Sequence, residues 1–236
     1  MPEPTHRDPP EPRRQVVSFT FYKVQPEWRR LPAADKAEHR REFASVIGKW
    51  RQSEQMTVLT YSLYGLRAEV DMMLWRICYS LDCLQQMQGE LMRTHLGAYL
   101  ETPHSYLAMT RHSQYKIGRG GHDGNAIKCG GYRYASVLPF TKTRAWYQLA
   151  FEERQRIVNE YRDAIADFPR VRMNTLYSFG IDDQEFVLVF ESDHPADIVD
   201  LKMRLRETEN AVYIQQDTPV FTGIQCDADQ MLEQLG

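Results

Sequence analysis

The chain has 236 residues, of which 42% are hydrophobic and 26% charged, and its formal net charge is −3. Such a composition describes an ordinary globular protein with length for one or two cores. It supplies no basic field for nucleic acid, and no apolar run approaches the roughly 18 residues that cross a bilayer.

Residues 1–14 are rich in proline and charge and lack an apolar signal core, so they read as a disordered tail. The four cysteines, Cys78, Cys83, Cys129 and Cys226, show no CxxC spacing, which predicts reduced thiols and a cytoplasmic location. Ordered sequence begins at Val16–Tyr22, a β-branched and aromatic run with strand character. A helix is predicted from Ala33 to Trp50, with Phe43, Val46, Ile47 and Trp50 on one face. Two strands follow, 58–64 and 71–79, then a helix over 81–96 and a strand over 105–111. The order β-α-β-β-α-β over residues 15–111 is that of a ferredoxin-like module.

Residues 112–131 carry Gly118, Gly120, Gly121, Gly124, Gly130 and Gly131 and read as a glycine-rich linker loop. No strand-to-helix junction or following Lys-Ser/Thr accompanies these glycines, so they do not form a phosphate-binding loop. Residues 132–236 repeat the first module's order. Trp28-x-x-Leu31 returns as Trp146-x-x-Leu149, and Tyr61-Ser62 returns as Tyr177-Ser178. The predicted elements are a strand ending at Phe140, a helix over 152–168, strands over 171–181 and 185–191, a helix after His194-Pro195 and a last strand over 213–224. The fold class is therefore α+β: two ferredoxin-like modules in one chain, which can join as a dimeric α+β barrel. In the helix over 152–168, Ile157, Val158, Tyr161, Ala164, Ile165 and Phe168 form one stripe at helical period, which aims Tyr161 at the sheet. None of the seven histidines makes a metal-binding spacing such as HxxxH.

Over nearly its whole length the chain resembles the chlorite dismutase superfamily, which includes the coproheme decarboxylases. The resemblance rests on 19–22, 61–66 and 105–111, and in the second half on 139–147, 177–186 and 217–223. It implies two ferredoxin-like modules, a homopentamer, and haem b or coproheme held inside the C-terminal module. By that resemblance, Lys142 is the propionate-binding lysine and Trp146 the haem-side tryptophan. The carboxylate that orients the proximal ligand falls near Glu209, four residues after Leu205 and so on the inward helix face.

Other positions depart from the family's pattern. Tyr161 stands at the proximal histidine position and is the candidate metal ligand, with Arg162 and Lys142 as the cations able to favour its phenolate. Leu138 stands at the radical tyrosine of the decarboxylases, with Tyr134 as the nearby substitute. Met173 or Asn174 stands at the distal arginine of the dismutases. Two readings follow. One is a haem- or coproheme-binding oxidoreductase with altered proximal ligation, acting on a porphyrin or small oxidant. The other is a non-haem binding protein, or an enzyme for another small molecule, on the same scaffold.

Overall fold

The computed structural model describes residues 13–115 and 126–236. The disordered-tail reading of 1–12 and the central glycines of the linker, Gly118 to Gly124, lie outside the described residues. The first module runs β1 (Val16–Val24), α1 (Pro26–Arg29), α2 (Ala33–Gln52), β2 (Thr57–Ser62), β3 (Met72–Cys78), α3 (Leu81–Met92) and β4 (Leu100–Met109). The second runs β5 (Tyr134–Lys142), α4 (Arg144–Gln148), α5 (Phe151–Ala166), β6 (Arg172–Tyr177), β7 (Phe186–Ser192), α6 (Pro195–Arg206), β8 (Ile214–Gln216) and β9 (Phe221–Gln225), followed by α7 (Ala228–Glu233). The expected duplication is present, and Trp28 and Trp146 are each buried in the short helix that follows their module's first strand.

The strands are antiparallel and close on themselves in the order β1-β3-β2-β9-β5-β7-β6-β4, with β8 added at the end of β5. Period-2 alternation then separates two faces. Phe19, Phe21, Tyr61, Trp75, Val137 and Phe221 fill the barrel interior. The opposite face of β1 and β3 packs under α2 and α3, where Tyr22, Phe43, Ile47, Trp50, Met87 and Leu91 make the first outer core. Leu138, Phe140, Leu188 and Phe190 make the second outer core with α5 and α6.

Several boundaries differ from the predicted ones. The single last strand is two, β8 and β9, because Pro219 between them has no N–H for a ladder. Strand β4 begins five residues earlier than expected, at Leu100, and pairs with β1 around an irregularity near Phe21. Helix α3 stops at Met92 rather than at 96; the Thr94 hydroxyl donates to Leu91 O at 2.7 Å and ends it. The unforeseen helix α7 packs not on its own module but on the first, where Met231, Leu232 and Leu235 complete the core around α2.

An ion pair, Arg172 with Glu191, reaches into the barrel. The Glu191 side chain on β7 is fully buried and accepts from Arg172 Nε and Nη2 at 2.9 Å each, from Gly130 N at 2.8 Å and from Asn174 Nδ2 at 3.3 Å. Burial pushes its carboxyl upward, and Arg172 and the Gly130 amide act against that shift. Removing one partner strands the other charge away from water. Arg172→Met is expected to lose about 3–5 kcal/mol in denaturant unfolding, and adding Glu191→Leu is expected to recover most of it. A single-variant loss below about 1 kcal/mol would show that the pair is not held dry.

Candidate functional site

Helix α5 does not lie flat on the second module's sheet. Between it and β5, β6 and β7 is a cavity of about 630 Å³, within the usual range for small-molecule sites. The stripe on α5 divides its work: Ile157 and Ala164 are buried in packing, while Val158, Tyr161 and Ile165 line the cavity. Arg154, one turn earlier in the same i, i+4, i+7 series, lines it as well. The segment following β4 forms the outer wall, where Tyr115 stacks on Phe151 with ring centres 5.7 Å apart.

Among the described residues, every charged side chain lining the cavity is cationic or a histidine, and no aspartate or glutamate lines it. They are Arg111, Arg154 and Arg162, with the Lys142 amine and His112 beside them. Arg162 Nη2 donates to Ser113 Oγ at 3.1 Å, which ties α5 to the outer wall. Arg154 Nε is buried without a hydrogen-bond partner, a donor left open at the cavity wall. Aromatic rings supply much of the remaining surface, from Phe140, Trp146, Tyr147, Tyr177 and Phe186.

Lys142 ends β5 and is only 7% exposed. Its Nζ lies 4.1 Å from the centre of the Trp146 ring. It donates to Asn210 Oδ1, and to Asn210 O at 3.4 Å. Burial drives its amine down to about 7, with Glu185 acting the other way. Glu185 does not bond the amine: its Oε2 accepts the Lys142 backbone N–H at 2.8 Å and the Tyr147 hydroxyl at 2.6 Å. The expected pair Lys142 and Trp146 is thus brought together at the cavity.

Tyr161 points at the sheet, as its stripe predicts, and its hydroxyl donates to Met173 Sδ across the cavity at 3.7 Å. Burial pushes its phenol upward and Asp217 adds to the shift, so neither Arg162 nor Lys142 favours a phenolate here. Asn174 also borders the cavity, but its amide turns away to Lys128 O at 2.9 Å and to Glu191. Glu209 departs from its expected inward position. Helix α6 ends at Arg206, so helical spacing no longer applies, and Glu209 pairs with Arg156 at 2.7 Å in a partly exposed bridge away from Tyr161. Leu138 is buried in the outer core, and neither it nor Tyr134 lines the cavity.

The family model for chlorite dismutase matches residues 36–226. Coproheme decarboxylase of Mycolicibacterium smegmatis is 30% identical over 211 residues, which cover 85% of this chain and 87% of that protein. Chlorite dismutase of Ideonella dechloratans is 23% identical over 215 residues, 88% of this chain and 75% of that one. The structure of chlorite dismutase from Candidatus Nitrospira defluvii in complex with imidazole superposes with a TM-score of 0.84 at 22% identity, covering 93% of this chain and 94% of that one. At that identity the structural likeness speaks for the fold.

The Lys142 amine gives a pH signature. Its folded-state midpoint near 7 lies below that of a solvated lysine, about 10.4, so between those values the unfolded chain holds a proton that the folded chain does not. Stability contributed by this site therefore rises with pH across that window. Lys142→Met is expected to raise the thermal midpoint most near about pH 6 and progressively less toward about pH 9, by calorimetry. A shift of the same size at both pH values would mean that the amine is not desolvated.

Proposed function

The chain belongs to the chlorite dismutase family, whose coproheme decarboxylase and chlorite dismutase relatives are enzymes, and on that premise we propose that its cavity takes an anionic, aromatic small molecule rather than an iron porphyrin ligated from α5. Family membership by itself points to haem-related chemistry. The observation against ligated haem is the contact between Tyr161 and Met173. A porphyrin ligated by Tyr161 needs a coordinate bond on that face and about 3.5–4 Å of van der Waals clearance on the other, together more than the gap between the two side chains. The two side chains at those family positions stand 3.7 Å apart. The phenol is also held in its neutral form, which is a poor ligand for ferric iron. As placed, these residues do not fit a haem iron.

What does fit is negative charge on a flat, apolar body. Arg154 offers an open N–H, Arg162 adds a second cation in low dielectric, and the aromatic walls suit a ring. A second reading keeps haem b or coproheme. It is favoured by Lys142 and Trp146 at their family positions beside a cavity large enough for a sizeable ligand, and it requires Tyr161 to swing toward the iron.

Two titrations separate the readings. On the first, the anionic fluorophore 1-anilinonaphthalene-8-sulfonate binds more tightly than the neutral N-phenyl-1-naphthylamine, and Arg154→Leu weakens it about tenfold, the loss of one charge-assisted bond. Ferric haem then gives no saturable Soret shift with the wild type. A high-spin spectrum with a charge-transfer band, abolished in Tyr161→Phe, would establish the second reading instead; Tyr161→His would then give family-like histidine ligation.

The family's homo-oligomer is proposed for this chain as well, supported by exposed Val199 and Met203 on α6 and by Val212 just beyond it. Light scattering is expected to show a particle several times 27.7 kDa at micromolar concentration, and a monomer would count against it. The four free cysteines support a cytoplasmic setting.

A further inference from the structure

Lys142 and Lys202 are both largely buried lysines of the second module, and their partners differ. Lys202 Nζ pairs with the Asp217 carboxylate at 3.4 Å and sits 5.5 Å from the Phe190 ring. Among the described residues no carboxylate bonds Lys142 Nζ: both of its acceptors belong to Asn210, and the Trp146 ring covers one flank. Two acceptors match the two N–H groups of a neutral amine, and among the described residues no further hydrogen-bond acceptor bonds Nζ. Asn210 lines the cavity beside Lys142, and the full cations of that wall are arginines, which hold their protons.

We propose that Lys142 is a nucleophilic amine that forms an imine with a carbonyl group on an anionic aromatic compound held in the cavity. This rests on the proposed anionic ligand class and adds its reactive group. The step balances without an oxidant or reductant. The Nζ lone pair attacks the carbonyl carbon and forms a C–N bond while the carbonyl π pair moves to oxygen. The two amine hydrogens leave with that oxygen as water, and a C=N bond remains. The arginines of the wall favour this chemistry by holding the ligand's carboxylate. Desolvation acts in the same direction, since an amine with its midpoint near 7 is about half free at neutral pH, against roughly one part in a few thousand for a solvated lysine.

The test is reductive trapping of the whole protein with 4-formylbenzoate and cyanoborohydride at about pH 7, read by intact mass and peptide mapping. The sequence has seven lysines, so the other six serve as internal controls. The expected result is one adduct on Lys142, formed at least about tenfold faster than on any other lysine, as its free-amine fraction dictates. Lys142→Arg keeps the charge but removes the adduct, and Lys202→Arg leaves it in place. Excess benzoate slows the wild-type labelling, and neutral benzaldehyde labels Lys142 more slowly than 4-formylbenzoate; neither readout depends on a variant folding. Adducts spread over the exposed lysines, or an adduct that persists in Lys142→Arg at another site, would overturn the proposal. Calorimetric binding of 4-formylbenzoate without an adduct would remove the imine and leave the anion-binding reading intact. Absence of binding and adduct together would remove both.

Discussion

The two-sided pairing of β5 is the constraint on which the second half depends. Along one edge β5 pairs with β7 from Tyr134 to Phe140. Along the other it pairs with β9 from Tyr134 to Val137, and with β8 at Thr141 and Lys142. Those ladders close the barrel and fix the direction of each side chain along the strand. Val137 goes into the barrel, Leu138 and Phe140 go under the helices, and Lys142 reaches the cavity. A slip by one residue would send each to the opposite face, emptying the barrel and withdrawing the amine together.

The duplicated modules share a plan and differ in how they fill it. In the first, α2 sets Phe43, Ile47 and Trp50 against Tyr22, Met87 and Leu91, and the space between helix and sheet is packed. In the second, α5 offers Ala164 and Ile157 to the packing and leaves Val158, Tyr161 and Ile165 facing a void. Side chains around a cavity make fewer dispersion contacts with protein than those of a packed core, at a cost to the second module's own stability. That cost falls where the arginines and Lys142 gather, which is the physical sense in which this half is specialised for a ligand.

Much of this was legible in the sequence. Alternating apolar residues located the strands, the Trp28 and Trp146 echo exposed the duplication, and one helical stripe aimed Tyr161 correctly. The partner of Tyr161 was not legible, because which strand residue faces a helix depends on strand pairing across the chain. Arg154 was within reach, since extending the stripe by one turn includes it. Asn210 was not, because the chain leaves helical geometry at Arg206 and enters a short turn over Glu209–Tyr213, where spacing carries no direction. The same change of geometry moved Glu209 from its expected inward face to the surface. Closure of the barrel by β9, and the docking of α7 on the opposite module, join residues more than a hundred positions apart and leave no local pattern.

The docking of α7 bears on how the protein comes into being. Arg40 on α2 donates to Gly236 O at 2.9 Å, the Ser62 hydroxyl at the end of β2 donates to Gln234, and β2 finds its second neighbour only in β9. A nascent chain that has emerged through β4 therefore has most of its first module but neither the helix that covers α2 nor the strand that covers the edge of β2. That half is exposed, with an unpaired strand edge, until about a hundred further residues have been made. Completion of the N-terminal core therefore waits for segments made more than a hundred residues after β4. Slow, non-local assembly of this kind favours protection of the growing chain by other factors while the barrel waits for its last strand.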